Sequence, residues 1–574
     1  VEARRERLAW ALAAGALLVA AAFLLFEGRG QTFFVDEWGF GYLGRQSWSL
    51  HALLEPDNGH LAVLPVVITK ASLGLFGAAT ALPIRLVAVA THLATALMLF
   101  LIVRERLGAV WALLPTVLFL FLGAAADVLI GSHALPIELS AATGLGAWLA
   151  LRRGDTAGDA LAALLLTAGV ASNGFALPFV AGAAAIIALE PGSGWRRQWV
   201  VAVPLVLYAI WRLTEGSGQE SDFAFANIAG VPAFAFSSLA AELAAVTGLF
   251  TEPGGTAGIY QLGAGQGLAG ALLVGLGALA IGRDYRPPRA AIPPLVALLA
   301  LWLLTGMVAS PARQPQVGRY VYCGVLLLLI VAATAIAASP FARRGALALS
   351  CVCAIGLIPN VDALHDAGTF FREQSNQNRA VLGAAALVPA GQAEEAALEV
   401  EGEQPEGGYA DMPYQLLSYR AGERAYGTPA LSLEQLQAAD PAAREDADLF
   451  LARALPLRLT PAPSRPPATT APLQLSQSEG KLAVRGGCGE FRPLGAGAQV
   501  SFPVPAGGFW LRPAPGAPVA IGLRHFADES SVHLEALPGQ ASEVRLPAWP
   551  AAGEWQAQLL PKQPVLVCGL PRAG

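Results

Sequence analysis

Residues 83–103 read PIRLVAVATHLATALMLFLIV, and the run is closed by Arg104-Glu105-Arg106. About 20 apolar residues, rising 1.5 Å each, cross the hydrocarbon core of a bilayer. The run holds a single charge, Arg85, near its start, and it ends against a basic turn. That is the pattern of a membrane-spanning helix, and it repeats along the chain. Apolar blocks near 8–26, 108–126, 134–151, 157–172, 174–190, 198–214, 263–282, 290–309, 320–338 and 343–360 bring the expected spans to about eleven.

The composition agrees. Of 574 residues, 55% are hydrophobic and 14% charged, against roughly 25% charged in an average soluble domain. The mean hydropathy is +0.51. The shortage of charge lies before about residue 360, and the rest is polar, Pro-rich sequence. A net charge of -5 supplies no basic field for nucleic acid. The cysteines form no CxxC pair with metal spacing; Cys351 and Cys353 are too close and lie in an apolar run.

The arginines set the orientation. Arg4/Arg5/Arg7, Arg104/Arg106, Arg152/Arg153, Arg196/Arg197, Arg283/Arg286/Arg289 and Arg343/Arg344 all fall on one side of the spans above. The positive-inside rule makes that side cytoplasmic. The first block follows Arg4, Arg5 and Arg7 without a small-x-small cleavage site, and reads as an uncleaved signal anchor. His60–Gly77 is apolar enough to span, but counting it would reverse every later loop, and it contains Pro65 and Lys70. It is expected to lie at the outer interface. The loops 27–82, 127–133, 215–262 and 310–319, and the tail, then face outward from a cytoplasmic membrane, with the N-terminus inside.

Charges at membrane level cost about 2.5–3.5 kcal/mol each and are rarely idle. The first outer loop carries Phe33-Phe34-Val35-Asp36-Glu37-Trp38, two adjacent carboxylates among aromatics. A solvated acidic turn would look the same; a carboxylate held in a membrane-level pocket can serve as a general base. Asp57-Asn58-Gly59-His60 follows, with His60 as proton shuttle, metal ligand or helix-start hydrogen-bonder. The second outer loop holds Asp127, His133 and Glu138. Asp127 and His133 suit a divalent cation such as Mg²⁺ or Mn²⁺ with the first loop, or simply cap helices. Arg212, Arg313 and Arg319, the last beside Tyr320, face outward against the charge bias. Guanidinium pairs bidentately with phosphate, so these residues are candidates for a lipid-linked phosphate; the alternative is headgroup anchoring.

These motifs together resemble the GT-C class of polytopic glycosyltransferases, of the protein O-mannosyltransferase and lipid A aminoarabinose transferase type. The resembling features are Asp36-Glu37 after the first span, an interfacial helix from His60 to Leu75-Phe76-Gly77, Arg85-Leu86 opening the next span, and Arg104-Glu105-Arg106-Leu107-Gly108. The family's His-Pro-Pro is here Gly59-His60-Leu61, and no second Asp-x-Asp appears. The resemblance covers about residues 8–360. It implies transfer of a sugar from a polyprenyl-phosphate donor to a glycan, lipid or protein acceptor outside the cytoplasmic membrane. Asp36 would be the base, Glu37 its support, and arginines would stabilise the leaving phosphate. A lipid or polysaccharide transporter or flippase is the alternative, and would call for broken helices and an inverted repeat. A non-catalytic scaffold is another, but has no need of so many spans.

The tail divides into an expected α/β segment (361–460), a Pro-rich linker (461–472) and a small β-sandwich (473–574). The sandwich reading rests on period-two stretches at 481–485, 499–504, 519–524 and 532–536. Trp510, Trp549 and Trp555 are either sugar-stacking platforms or core. Cys488 and Cys568 are able to pair if the tail lies outside the cytoplasm.

Overall fold

In the computed structural model, residues 2–33, 48–57, 59–190, 196–218, 223–250, 262–283, 288–310, 313–389, 391, 393, 420, 422–547 and 554–572 are described. They form two units, 1–372 with 418–427 and 373–417 with 428–574.

The first unit is helical. Its elements are α1 (Glu2–Glu27), α2 (Leu50–Leu54), α3 (Val63–Phe76), α4 (Leu82–Leu107), α5 (Ala109–Leu120), α6 (Ala126–Ile130), α7 (Leu135–Leu151), α8 (Thr156–Val170), α9 (Leu177–Leu189), α10 (Trp199–Thr214), α11 (Val231–Thr247), α12 (Gly263–Arg283), α13 (Ile292–Met307), α14 (Gly318–Ala337) and α15 (Ala342–Ala386), which carries the boundary between the units. Each of the eleven expected spans is a helix. Six described helices are long and apolar enough to cross a membrane alone, and α5 with α6 makes a seventh, bent by 42°. The chain is an α-helical polytopic membrane protein.

Segment 60–77 yields the 14-residue α3, too short to span. The structure departs from expectation at 225–247. That stretch, read as outer loop, is an apolar helix, α11 with a 3-10 lead-in. Its Ala-rich sequence favours helix, and Glu242 hid it from a hydropathy reading. Near its start α11 packs on Gly306, and at Glu242 it meets Trp302 and Gly324.

The arginine-rich turns gather at one end of the bundle. Arg104 pairs with Glu6 and lies over the Trp10 ring, Arg152 pairs with Glu105, and Arg197 binds Asp159 and Glu190. Arg197 also donates to the Leu151 carbonyl at 3.1 Å. The outward faces of α10 and α12 expose Val203, Val206, Leu207, Leu273 and Val274, as lipid-facing surfaces do.

In the second unit, α16 (Leu433–Gln437) and α17 (Pro441–Ala454) precede two antiparallel sheets. The expected α/β segment shows helices and no strand among the described residues before 460. One sheet runs in the order β1 (Thr460–Pro461), β9 (Ser542–Val544), β6 (Phe509–Pro513), β11 (Val565–Gly569), β4 (Cys488–Pro493), β3 (Gly480–Arg485). The other runs β2 (Ser476–Ser478), β5 (Gln499–Pro503), β10 (Gln556–Pro561), β7 (Val519–Arg524), β8 (Val532–Ala536). All four period-two stretches are strands, and alternate residues of β5 are buried. Cys488 and Cys568 are directly opposite on β4 and β11 and are bonded.

One expectation for this region is revised, and the choice left open for two tryptophans is decided. The Pro-rich stretch is not a free linker: Pro461 belongs to β1, Ala471 bridges to Gly569, and the carbonyls of Pro463 and Ser464 accept from Trp510 (3.1 Å) and Arg512 (2.7 Å). Proline cannot donate, but its carbonyl still accepts, so the stretch lies along the sheet. Trp510 and Trp555 are each 1% exposed and belong to the core; Trp549 lies outside the described residues.

Candidate functional site

At the end of the bundle away from the arginine-rich turns, the helix ends carry buried polar side chains. Arg85, in the first turn of α4, is 2% exposed. Its guanidinium donates to the carbonyl of Leu24 at 2.8 Å and to Gln31 Oε1 at 3.3 Å. It crosses Gly28 so closely that a Cβ there would lie 1.8 Å from Arg85 Nε, and no larger residue fits at 28. Glu138, in the first turn of α7, is 1% exposed and lies in the field of Arg85. Its Oε2 has no hydrogen-bond partner among the described residues. Glu27, the last residue of α1, accepts from Arg372 at 3.2 Å and pairs with His365 at 3.0 Å.

Deeper in the bundle, His92 Nδ1 is 3.0 Å from the Tyr322 hydroxyl, and Nε2 is 3.3 Å from the Leu120 carbonyl. A carbonyl only accepts, so Nε2 carries the proton and Nδ1 accepts from Tyr322. Burial of an ionisable ladder at membrane depth is costly unless it is used or paired.

Asp127 of α6 meets the start of α14. Its Oδ1 fills the space beside Gly318, where a Cβ would lie 1.8 Å away. That oxygen is buried without a hydrogen-bond partner among the described residues, while the charge of Arg319 acts on the carboxylate. The Arg319 guanidinium lies 5.5 Å from the Tyr320 ring centre. Tyr320 is held between Phe175 (5.7 Å) and Phe234 (6.4 Å).

The first loop is anchored here at both ends. It leaves through Gln31 beside Arg85 and Phe33, which is 1% exposed. It returns at Trp48, whose ring lies 4.7 Å from Lys70 Nζ. Lys70, on α3, is 1% exposed. Asp36 and Glu37 lie in between, outside the described residues. His60 closes a two-residue bridge with Asp57 and rests on the turn at Gly174, where a Cβ would be 3.2 Å from its Nδ1. α3 is tied to the same turn by Leu64 N–H donating to the Ala171 carbonyl at 3.1 Å.

The structure thus brings Asp127, Arg319 and Tyr320 together. His133 packs on Gly131 next to the Asp127 carbonyl, with its ring 6.2 Å from Phe371. Arg212 instead folds back onto the Gly216 carbonyl at the end of its own helix, the usual use of a cation at a helix C-terminus. Arg313 is half-buried in the turn before α14. Among the described residues no three His, Cys, Asp or Glu side chains converge to hold a metal.

Sequence reasoning passed over the chemistry of Lys70, Arg85 and Glu27. Lys70 served only to argue that α3 does not span, yet a lysine inside an apolar run was itself the signal.

No protein-family model and no curated protein matches the chain. Among solved structures, the chain is similar to the crystal structure of ArnT from Cupriavidus metallidurans bound to undecaprenyl phosphate, at 14% identity and a TM-score of 0.41. It is also similar to that protein's apo state, at 15% identity and a TM-score of 0.40. Each likeness covers 74% of this chain and 90% of the other.

Proposed function

We propose that this protein transfers a sugar from a polyprenyl-phosphate-linked donor to an acceptor hydroxyl on the outer side of the cytoplasmic membrane, with Asp36 as general base. One observation supports the reading above others: the loop bearing Asp36-Glu37 departs beside Arg85 and returns across Lys70, at the bundle end remote from the arginine-rich turns. An acid and several cations are what glycosyl transfer from a phosphate requires.

The acceptor oxygen attacks the anomeric carbon while its proton passes to the Asp36 carboxylate. The bond between that carbon and the phosphate oxygen breaks, and the phosphate leaves with the electron pair. Negative charge grows on the leaving phosphate, and fixed cations such as Lys70 and Arg319 stabilise it. Glu37 supports the base. The apolar faces of the spans accommodate the prenyl chain. Were a divalent cation bound, Asp127 and His133 would be the residues to hold it, and it would offset charge on the leaving phosphate.

The test is release of polyprenyl phosphate from a panel of polyprenyl-phosphate sugars by membranes holding the protein. Asp36→Asn is expected to lower release by about 10²–10⁴-fold, the usual contribution of a general base, with insertion unchanged. Full release by Asp36→Asn removes the mechanism.

A further inference from the structure

At the arginine-rich end a cleft of about 350 Å³ opens among α4, α7, α9, α13 and α14. That volume is at the lower end for small-molecule sites. Its walls include Trp148, Ile186 and Ile330, and its rim carries Arg106, Arg152 and Arg289. Glu190 also lines the cleft but is engaged with Arg197, and Glu105 beside it binds Arg152. Arg106 and Arg289 have no ion-pair partner among the described residues. Like charges around an apolar cleft are stabilised by an anion placed between them.

We infer that this cleft binds the phosphate headgroup of an anionic membrane phospholipid, held by Arg106 and Arg289, with its acyl chains along Trp148, Ile186 and Ile330. Charge complementarity selects the phosphate, and the apolar walls select a lipid over a free anion. Basic pockets between spanning helices hold anionic headgroups in this way. The site lies at the opposite end from the proposed transfer chemistry and is independent of it.

Native mass spectrometry of the full-length protein in uncharged detergent tests the inference, with phosphatidylglycerol, phosphatidylcholine and glycerol phosphate as probes. Phosphatidylglycerol is expected to be retained over the other two. The double variant Arg106→Gln/Arg289→Gln is expected to bind it about tenfold more weakly, the loss of charge-assisted hydrogen bonds. Arg343→Gln/Arg344→Gln, which alters a basic turn outside the cleft, is expected to leave binding unchanged. Equal retention of phosphatidylglycerol by Arg106→Gln/Arg289→Gln, or equal binding of glycerol phosphate, overturns the inference. If that variant does not fold, Ile186→Trp fills the cleft and is expected to give the same loss; undiminished binding by it overturns the inference.

Discussion

Arg85 and Glu138 show how a single buried charge constrains its surroundings. Removing the Arg85 guanidinium leaves the buried Leu24 carbonyl and Gln31 without this donor, at about 1–3 kcal/mol. Arg85→Ala is expected to destabilise the protein by that order, measured by thermal inactivation in detergent. Arg319 and Arg212 make a second comparison. Arg319 lies in the field of Asp127, whereas Arg212 is committed to the Gly216 carbonyl. Arg319→Ala is therefore expected to raise the KM for the polyprenyl-phosphate donor about tenfold, and Arg212→Ala to leave it nearly unchanged. The sequence placed both arginines outward. It could not separate them, because which one folds back on its own helix end depends on the turn that follows.

Among the elements, α17 is the most exposed to a change of conditions. The Asp448 carboxylate is fully buried and accepts from the backbone N–H groups of His525, Phe526 and Ala527 and from the Ser531 hydroxyl. Asp448→Ala strands those donors and is expected to cost about 3 kcal/mol, read as faster hydrogen exchange in 441–454. On the same helix, burial, assisted by Glu445, pushes the Asp446 carboxyl up to about 6. The unfolded chain releases this proton near pH 4 and the folded chain near 6, so its ionisation opposes folding. The destabilisation is absent below pH 4, grows as pH rises, and is complete above 6. Asp446→Asn is expected to slow exchange in 441–454 at pH 7 and to have little effect at pH 4. Periodicity foretold the strands, and in β5 and β8 the apolar positions of the pattern are the buried ones. It missed α11, because one intramembrane carboxylate broke the apolar run, and it could not assign Asp448, whose partners are about 80 residues away.

Across the whole molecule, the distribution of arginine carried the most information. The basic turns converge through pairs such as Arg104 with Glu6 and Arg152 with Glu105, and the polar ladder lies at the other helix ends. The sequence revealed this asymmetry because inserting a charge into a bilayer is expensive and leaves a mark at every turn. It did not reveal Lys70 and Arg85 as candidate site residues, because chemistry at helix ends is assembled from distant segments. The Cys488–Cys568 bond is of the kind that persists in an oxidising compartment. Its removal by Cys488→Ser/Cys568→Ser is expected to cost about 4 kcal/mol, seen as a lowered midpoint for sheet unfolding in denaturant. The account is tested most directly by a structure of the protein with bound polyprenyl phosphate. The account predicts the phosphate within about 3 Å of Lys70 Nζ or the Arg319 guanidinium, with the Asp36 carboxylate facing the same cavity. A phosphate bound elsewhere, with Asp36 turned to bulk water, would contradict it.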